Sequence, residues 1–173
     1  MAKHKEVDNK VIEELKAANI NGAPGFNDLV NLPYIKQVTE EALRIYPPVW
    51  LFSRKAIEDD QVGQYVIPAG SDIFISPYYL HRNSEYWPEA EDFKAERFAM
   101  DKQKEQHKFC YLPFSAGPRR CIGDFFATVE MQVHVGLMAQ NFRFELVTET
   151  VPELEASINM RAKDPVILKM YKR

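Results

Sequence analysis

The stretch Phe114-Ser115-Ala116-Gly117-Pro118-Arg119-Arg120-Cys121-Ile122-Gly123 constrains this chain more than any other. A cysteine closes a loop of glycine, proline and arginine, and an amphipathic segment starts straight after it. From Ile122, apolar residues recur at Phe126, Val129, Val133, Leu137 and Ala139, roughly helical spacing, so a helix is expected to about Asn141. Cys121 then lies at or just before a helix N-terminus, where free N–H groups and the positive end of the helix dipole favour an anionic sulfur. Arg119 and Arg120 add positive charge. Gly117 permits a turn conformation closed to other residues, and Gly123 lets a flat body approach the backbone closely. The stretch reads as a site for a thiolate, with room beside it.

A cysteine in such a place is either a buried structural residue, a common fate for free cysteine, or a thiolate with one of four jobs. A nucleophile wants a base, and the nearest histidine in sequence, His107, stands in no triad-like pattern. A zinc site needs about four ligands at motif spacing, whereas the chain offers only Cys110 and Cys121 with His107 near the first. A disulfide between the two cysteines stays open. The fourth job is axial ligation of haem iron, where thiolate donation favours O–O cleavage.

The chain of 173 residues suits one domain with its own core, and 46% hydrophobic with 27% charged residues is a globular composition. A net charge of −3 argues against nucleic acid as a partner. Two cysteines make no disulfide framework, and a reducing compartment is the simpler expectation. No apolar run approaches the ~18–20 residues of a membrane helix, and the first residues lack the apolar core of a signal peptide.

Along the chain, Val7, Val11, Ile12 and Leu15 predict a helix from about His4 to Ala18, and Gly22, Pro24 and Gly25 predict a loop over Asn19 to Asn27. Asn31 with Pro33 is a helix start and Pro47-Pro48 a stop, with Ile35, Val38, Ala42 and Ile45 as the expected buried stripe. Glu41 and Arg44 are three apart on this helix and can pair. Alone, such a pair is more often an exposed one worth roughly a few tenths of a kcal/mol. Val49 to Ala56, Gln61 to Ile67 and Ser71 to Ser76 read as short strands, punctuated by Asp59-Asp60, Gly63 and Pro68-Ala69-Gly70. Arg143 to Thr148, Ser157 to Ala162 and Val166 to Met170 also alternate like strands, the last two closing a terminal hairpin around Asp164-Pro165. His81, in an aromatic and basic cluster, reads as a satisfied structural residue. The fold class expected is mainly α with small β-sheets, an α+β chain.

Phe114, Gly117, Arg119, Cys121 and Gly123 fill the pattern Phe-x-x-Gly-x-Arg-x-Cys-x-Gly, which resembles the haem-binding loop of the cytochrome P450 family. Two more motifs stand upstream in the family's order. Glu41-Ala42-Leu43-Arg44 resembles the Glu-x-x-Arg of helix K, and Glu96-Arg97-Phe98 resembles the Pro-x-Arg-Phe segment, with Ala95 where proline is common. The resemblance spans nearly the whole chain, residues 1–173, and corresponds to the C-terminal part of the family fold, from about helix J through helix L to the terminal β-hairpin.

By this resemblance the chain is part of a haem-thiolate monooxygenase that uses haem b. Cys121 is implied as the axial iron ligand, Arg119 and Arg54 as propionate partners, and Phe114 as the residue packed by the sulfur. Gly117 and Gly123 shape the loop. Glu41, Arg44 and Arg97 are implied to form a buried network with a structural role. The implied partners are an electron-donor redox protein of the reductase or ferredoxin type and a small lipophilic substrate. The tract Phe109 to Ala127 hints at a fatty acid, and Val49 to Phe52 match a pocket-lining segment. Lys102, Lys104, Lys108 and Arg120 suit a basic face for an acidic donor, although a solvated charge run explains the lysines as well.

No Ala-Gly-x-Asp/Glu-Thr pattern of the family's oxygen-activating helix I occurs, so no catalytic acid–alcohol pair is assigned. The expectation is half of a haem site, with little or no activity for the chain alone. Two alternatives stand beside it, a non-enzymatic haem-binding protein and an inactive truncated fragment prone to aggregate through its exposed apolar face. Localisation stays open: cytoplasmic for a bacterial protein, microsomal where an upstream anchor has been lost.

Overall fold

A computed structural model describes residues 1–147 and 152–173. The first helix, α1 (Lys5–Ala17), forms where its spacing predicts, burying Val7, Val11 and Leu15. A 3-10 turn over Phe26–Asn31 follows the predicted loop, and Pro33 opens α2 (Pro33–Ile45). Leu32, the residue before α2, has no side chain to cap it. Glu14 of α1 takes over, accepting the Tyr34 and Ile35 N–H groups at 2.6 and 2.9 Å. One carboxylate thereby satisfies two of α2's orphan donors and docks two helices. Burial pushes the Glu14 carboxyl pKa up, with both amide bonds opposing the rise.

The buried side of α2 differs from the expected stripe. Ala42 is exposed, and Glu41, Leu43 and Arg44 are buried with Ile35, Val38 and Ile45. The cause is the segment Ala95–Phe98, which lies across the Glu41 side of α2 and makes the charged face an inner face.

The long helix α5 (Asp124–Asn141) runs against both α1 and α2. Its buried residues are Gln132, Gly136 and Ala139, and Phe126 of the predicted stripe is 71% exposed. Gly136 sets this rotation. A Cβ there would lie 2.8 Å from Pro24 Cγ and 3.5 Å from Ile35 Cδ1, so only glycine allows the approach. Val7, Val11, Leu15, Leu32, Ile35, Val38, Ala95 and Ala139 form the resulting core. Each buried valine, leucine or isoleucine contributes about 1.5–3 kcal/mol.

Among the described residues the strands make four two-stranded antiparallel sheets. β1 (Phe52–Lys55) pairs with β4 (Asp72–Ile75), Phe52 opposite Ile75. The stretch Gln61 to Ile67, expected as one strand, is a hairpin of β2 (Asp60–Val62) and β3 (Tyr65–Ile67) turning at Gly63, φ 60°. Single helical turns α3 (Pro77–Leu80) and α4 (Met100–Gln103) interrupt the irregular stretch before the cysteine loop.

The terminal hairpin is corrected. β6 (Leu154–Ala156) pairs with β7 (Met160–Ala162), and β8 (Leu168–Lys172) pairs with β5 (Phe142–Leu146). Three residues between β6 and β7 close a hairpin at low entropic cost, which takes β7 away from β8. Thr148, expected to end the β5 strand, lies outside the described residues. Arg173 then holds the chain end down. Its N–H donates to Asn141 O at 2.9 Å and its guanidinium pairs with Asp8 of α1. Among the described residues no helix is long and apolar enough to cross a membrane.

Candidate cofactor-binding site

The cysteine loop hangs from a buried anchor on α2. Arg44 donates to Glu41 through Nε at 2.7 Å and Nη2 at 2.9 Å, a two-pronged pair with both side chains fully buried. Its remaining donors reach His81 O at 2.7 Å and Asp92 O at 3.2 Å, and the guanidinium lies 5.3 Å from the Trp87 ring centre. Glu41 also accepts the Lys94 N–H at 2.8 Å, while Arg97 Nε stands 3.4 Å from Glu41 Oε1. Arg97 Nη2 donates to Glu89 O at 2.7 Å, but its buried Nε has no hydrogen bond of good geometry. The three residues expected to form a network are therefore together. Their work is to tie the irregular stretch 81–98 to α2.

The run into the loop is pinned at three points. Tyr111 Oη donates to Glu40 O at 2.9 Å, and its ring packs 4.8 Å from Phe98 and 5.2 Å from His81. Burial drives the Tyr111 pKa well up. Trp87 Nε1 donates to Cys110 O at 3.2 Å. His81 is the third pin. Its Nδ1 lies 3.2 Å from Arg44 O, and its Nε2 accepts the Leu112 N–H at 2.8 Å.

Both bonds hold only for neutral imidazole with the proton on Nδ1. Burial, with Arg44 and Arg82 nearby, lowers the His81 pKa to about 4. An unfolded histidine titrates near 6.5, so the folded chain binds the proton less readily than the unfolded one. His81 then contributes stability that is fully present above pH 6.5 and is lost as pH falls through about 4. At about 1.4 kcal/mol per pKa unit, the loss is roughly 3 kcal/mol. Urea unfolding at pH 7, 6, 5 and 4 is expected to show this slope, and His81→Gln is expected to flatten it.

The loop itself is built from two residues with left-handed backbone, Ser115 at φ 62° and Gly117 at φ 72°. No atom lies within 4 Å of a Cβ added at Gly117, so glycine is needed there for its conformation alone. Arg120 N–H donates to Gly117 O at 3.1 Å, and Cys121 N–H returns to Phe114 O at 3.0 Å, closing the loop on itself. Arg54 reaches across from β1, donating to Ser115 Oγ at 2.6 Å and Ala116 O at 3.3 Å. The expected propionate partner is thus first of all a brace on the loop.

Cys121 is exposed, two residues ahead of the α5 N-cap Gly123, and Phe114, seven residues earlier, is half-buried. A Cβ at Gly123 would sit 3.8 Å from Cys121 Sγ, so glycine keeps the space beside the sulfur clear. Ile122, Phe125 and Phe126 add exposed apolar surface next to it. Arg119 is exposed, whereas Arg120 is paired with Asp124 at 2.6 Å. An accessible thiol, a glycine-cleared flank, apolar neighbours and an arginine fit a flat, apolar, anion-bearing cofactor such as haem b.

Cys110 is buried, which raises its thiol pKa, and both cysteines are free thiols. No group of three histidine, cysteine, aspartate or glutamate side chains placed to hold a metal ion occurs among the described residues. Glu41, Arg44 and Arg97 form one cluster, and Arg54, Phe114, Gly117, Arg119, Cys121 and Gly123 form another. His81 and Tyr111 join the two, and no sequence pattern marked that link.

Fold and site together define a mixed helical and small-sheet protein that presents a thiol on a braced loop ahead of a long helix. The family model described as cytochrome P450 matches residues 1–170, and the chain belongs to the cytochrome P450 family. Among its relatives, "Cytochrome P450 4d1" of Drosophila simulans is 37% identical over the whole chain and "Cytochrome P450 3A13" of Mus musculus 35%. "Lithocholate 6-beta-hydroxylase" of Mesocricetus auratus is also 35% identical. The chain spans about 35% of the length of each of these relatives.

Proposed function

We propose that this chain supplies the iron-ligand side of a haem-thiolate monooxygenase site, with Cys121 as the axial ligand. The observation that carries this reading is the accessible Cys121 sulfur, with Gly123 clearing a flank within 3.8 Å of it and Arg54 bracing the loop. Haem b held there supplies the iron at which one atom of O2 enters a C–H bond and the other leaves as water, with electrons from a redox partner.

The chain's own residues hold and orient that group. Cys121 would donate its sulfur to the iron, Arg119 would hold a propionate, and Arg54, which steadies Ser115 and Ala116, would hold a propionate as well. Phe114 accepts the Cys121 N–H through its carbonyl, and its ring would pack by the sulfur. Glu41, Arg44 and Arg97 keep the support rigid and take no part in electron or proton transfer. The substrate is lipophilic. A fatty acid is one form, and the hamster relative, named for hydroxylating lithocholate, suggests a second. Lys102, Lys104, Lys108 and Arg120 are the candidate basic face for the electron donor.

The test is a titration of the chain with hemin, followed by reduction under carbon monoxide. A red-shifted Soret band of a thiolate-ligated carbonyl complex supports the proposal. Hemin binding without that band favours a haem-binding protein that does not use the thiolate. Absence of binding, with aggregation, favours an inert fragment that needs the rest of the family fold.

A further inference from the structure

His81 touches neither the loop's cysteine nor its arginines, yet alongside Tyr111 it joins the buried anchor to the loop. It is completely buried. On one side Nδ1 meets the carbonyl of Arg44, the residue that ends the Glu41–Arg44 pair. On the other, Nε2 accepts from Leu112 N–H, and Leu112 O in turn accepts from Ser115 N–H at 3.3 Å, the first left-handed residue of the loop. The His81 carbonyl completes the tie by accepting from Arg44 Nη1. A continuous path thus runs from Arg44 through one imidazole and Leu112 to Ser115, where Arg54 grips from the far side.

We infer that His81 is a positioning residue for the thiolate loop, setting the place of Leu112–Ser115 and through it the presentation of Cys121. The inference rests on the haem-thiolate reading of Cys121. Backbone groups alone do not make this link, because the Leu112 N–H is taken by the imidazole. A buried N–H that loses such a partner is left unsatisfied and destabilises the turn that carries it. That strain falls on the residues whose turn geometry presents the sulfur.

Two neutral variants separate the two bonds. In His81→Asn the short amide can still donate toward Arg44 O but does not reach Leu112. In His81→Gln the longer side chain places a carbonyl oxygen where Nε2 accepts. In the chain without cofactor, His81→Asn is expected to raise amide hydrogen exchange at Leu112, Ser115 and Cys121 roughly tenfold, the factor that matches about 1.4 kcal/mol. Exchange in α1 is expected to stay unchanged, and His81→Gln to restore the loop. After hemin loading and reduction under carbon monoxide, His81→Asn is expected to shift part of the red-shifted Soret band to shorter wavelength, and His81→Gln to recover it.

Unchanged loop exchange in His81→Asn overturns the inference. So does an equal rise throughout the molecule, or loss of the fold in both variants, since either makes His81 a general core residue. A wild-type chain that binds hemin without the red-shifted band sinks the ligand reading of Cys121, and the exchange measurement still decides the positioning of the loop.

Discussion

Cys121→Ser is expected to abolish the red-shifted carbonyl band of the hemin-loaded chain while leaving the fold untouched. The ligand in such a complex is a thiolate, and a serine hydroxyl does not ionise in the pH range where proteins stay folded. The substitution changes one exposed atom on a loop whose hydrogen bonds run through backbone groups, Cys121 N–H to Phe114 O and Arg120 N–H to Gly117 O. Exposed substitutions of this kind usually stay within about 0.5 kcal/mol. The urea midpoint is therefore expected to match wild type even though the band is gone.

Cys110 is the internal control. Its thiol is buried behind Trp87 and Phe98, and burial keeps it protonated. Retention of the band in Cys110→Ala, alongside its loss in Cys121→Ser, assigns the ligand to one sulfur. Retention in both variants overturns the assignment.

Glu41→Ala is expected to cost about 3–5 kcal/mol, because it leaves the fully buried Arg44 guanidinium without its counter-charge. The same change strips Lys94 N–H and Arg97 of their acceptor. Against a typical domain stability of about 5–15 kcal/mol, this removes a large share of the total. Urea unfolding of the single and double variants checks the size and the cause. Glu41→Ala combined with Arg44→Ala is expected to cost less than the sum of the two, since the second change removes the orphaned charge. Strict additivity, or a single-variant cost below about 1 kcal/mol, overturns the buried-network account.

Legibility followed the range of the interaction. The spacing of Val7, Val11 and Leu15 specifies α1, and Pro33 with Pro47-Pro48 bounds α2, because helix period and proline geometry act within a few residues. The loop pattern from Phe114 to Gly123 was readable for a similar reason, as its turn needs a left-handed residue at Gly117. Ala42 lies outside the buried side of α2, where the apolar stripe put it, and Glu41 lies inside, as the family resemblance implied and helical periodicity alone did not. Hydrophobicity ranks alanine inside and glutamate outside, and only the segment Ala95–Phe98 reverses that order. The buried face of α5 departs from its apolar spacing for a related reason. The closest packing happens at a glycine, which carries no hydrophobic signal.

The sequence by itself determined the family motif, the helices, the presence of short strands and the identity of the thiol at the candidate site. These follow from local sterics and from residue chemistry that neighbours along the chain cannot change. Tertiary structure decided which strands pair, why the Glu41–Arg44 charges are buried, and how the cysteine loop is held. The β5–β8 pairing, the Arg54–Ser115 bond and the His81 bridge from Arg44 to Leu112 join residues 22 or more apart in sequence. Their partners are chosen by whatever the packed core brings within hydrogen-bond reach, and no local pattern encodes that distance.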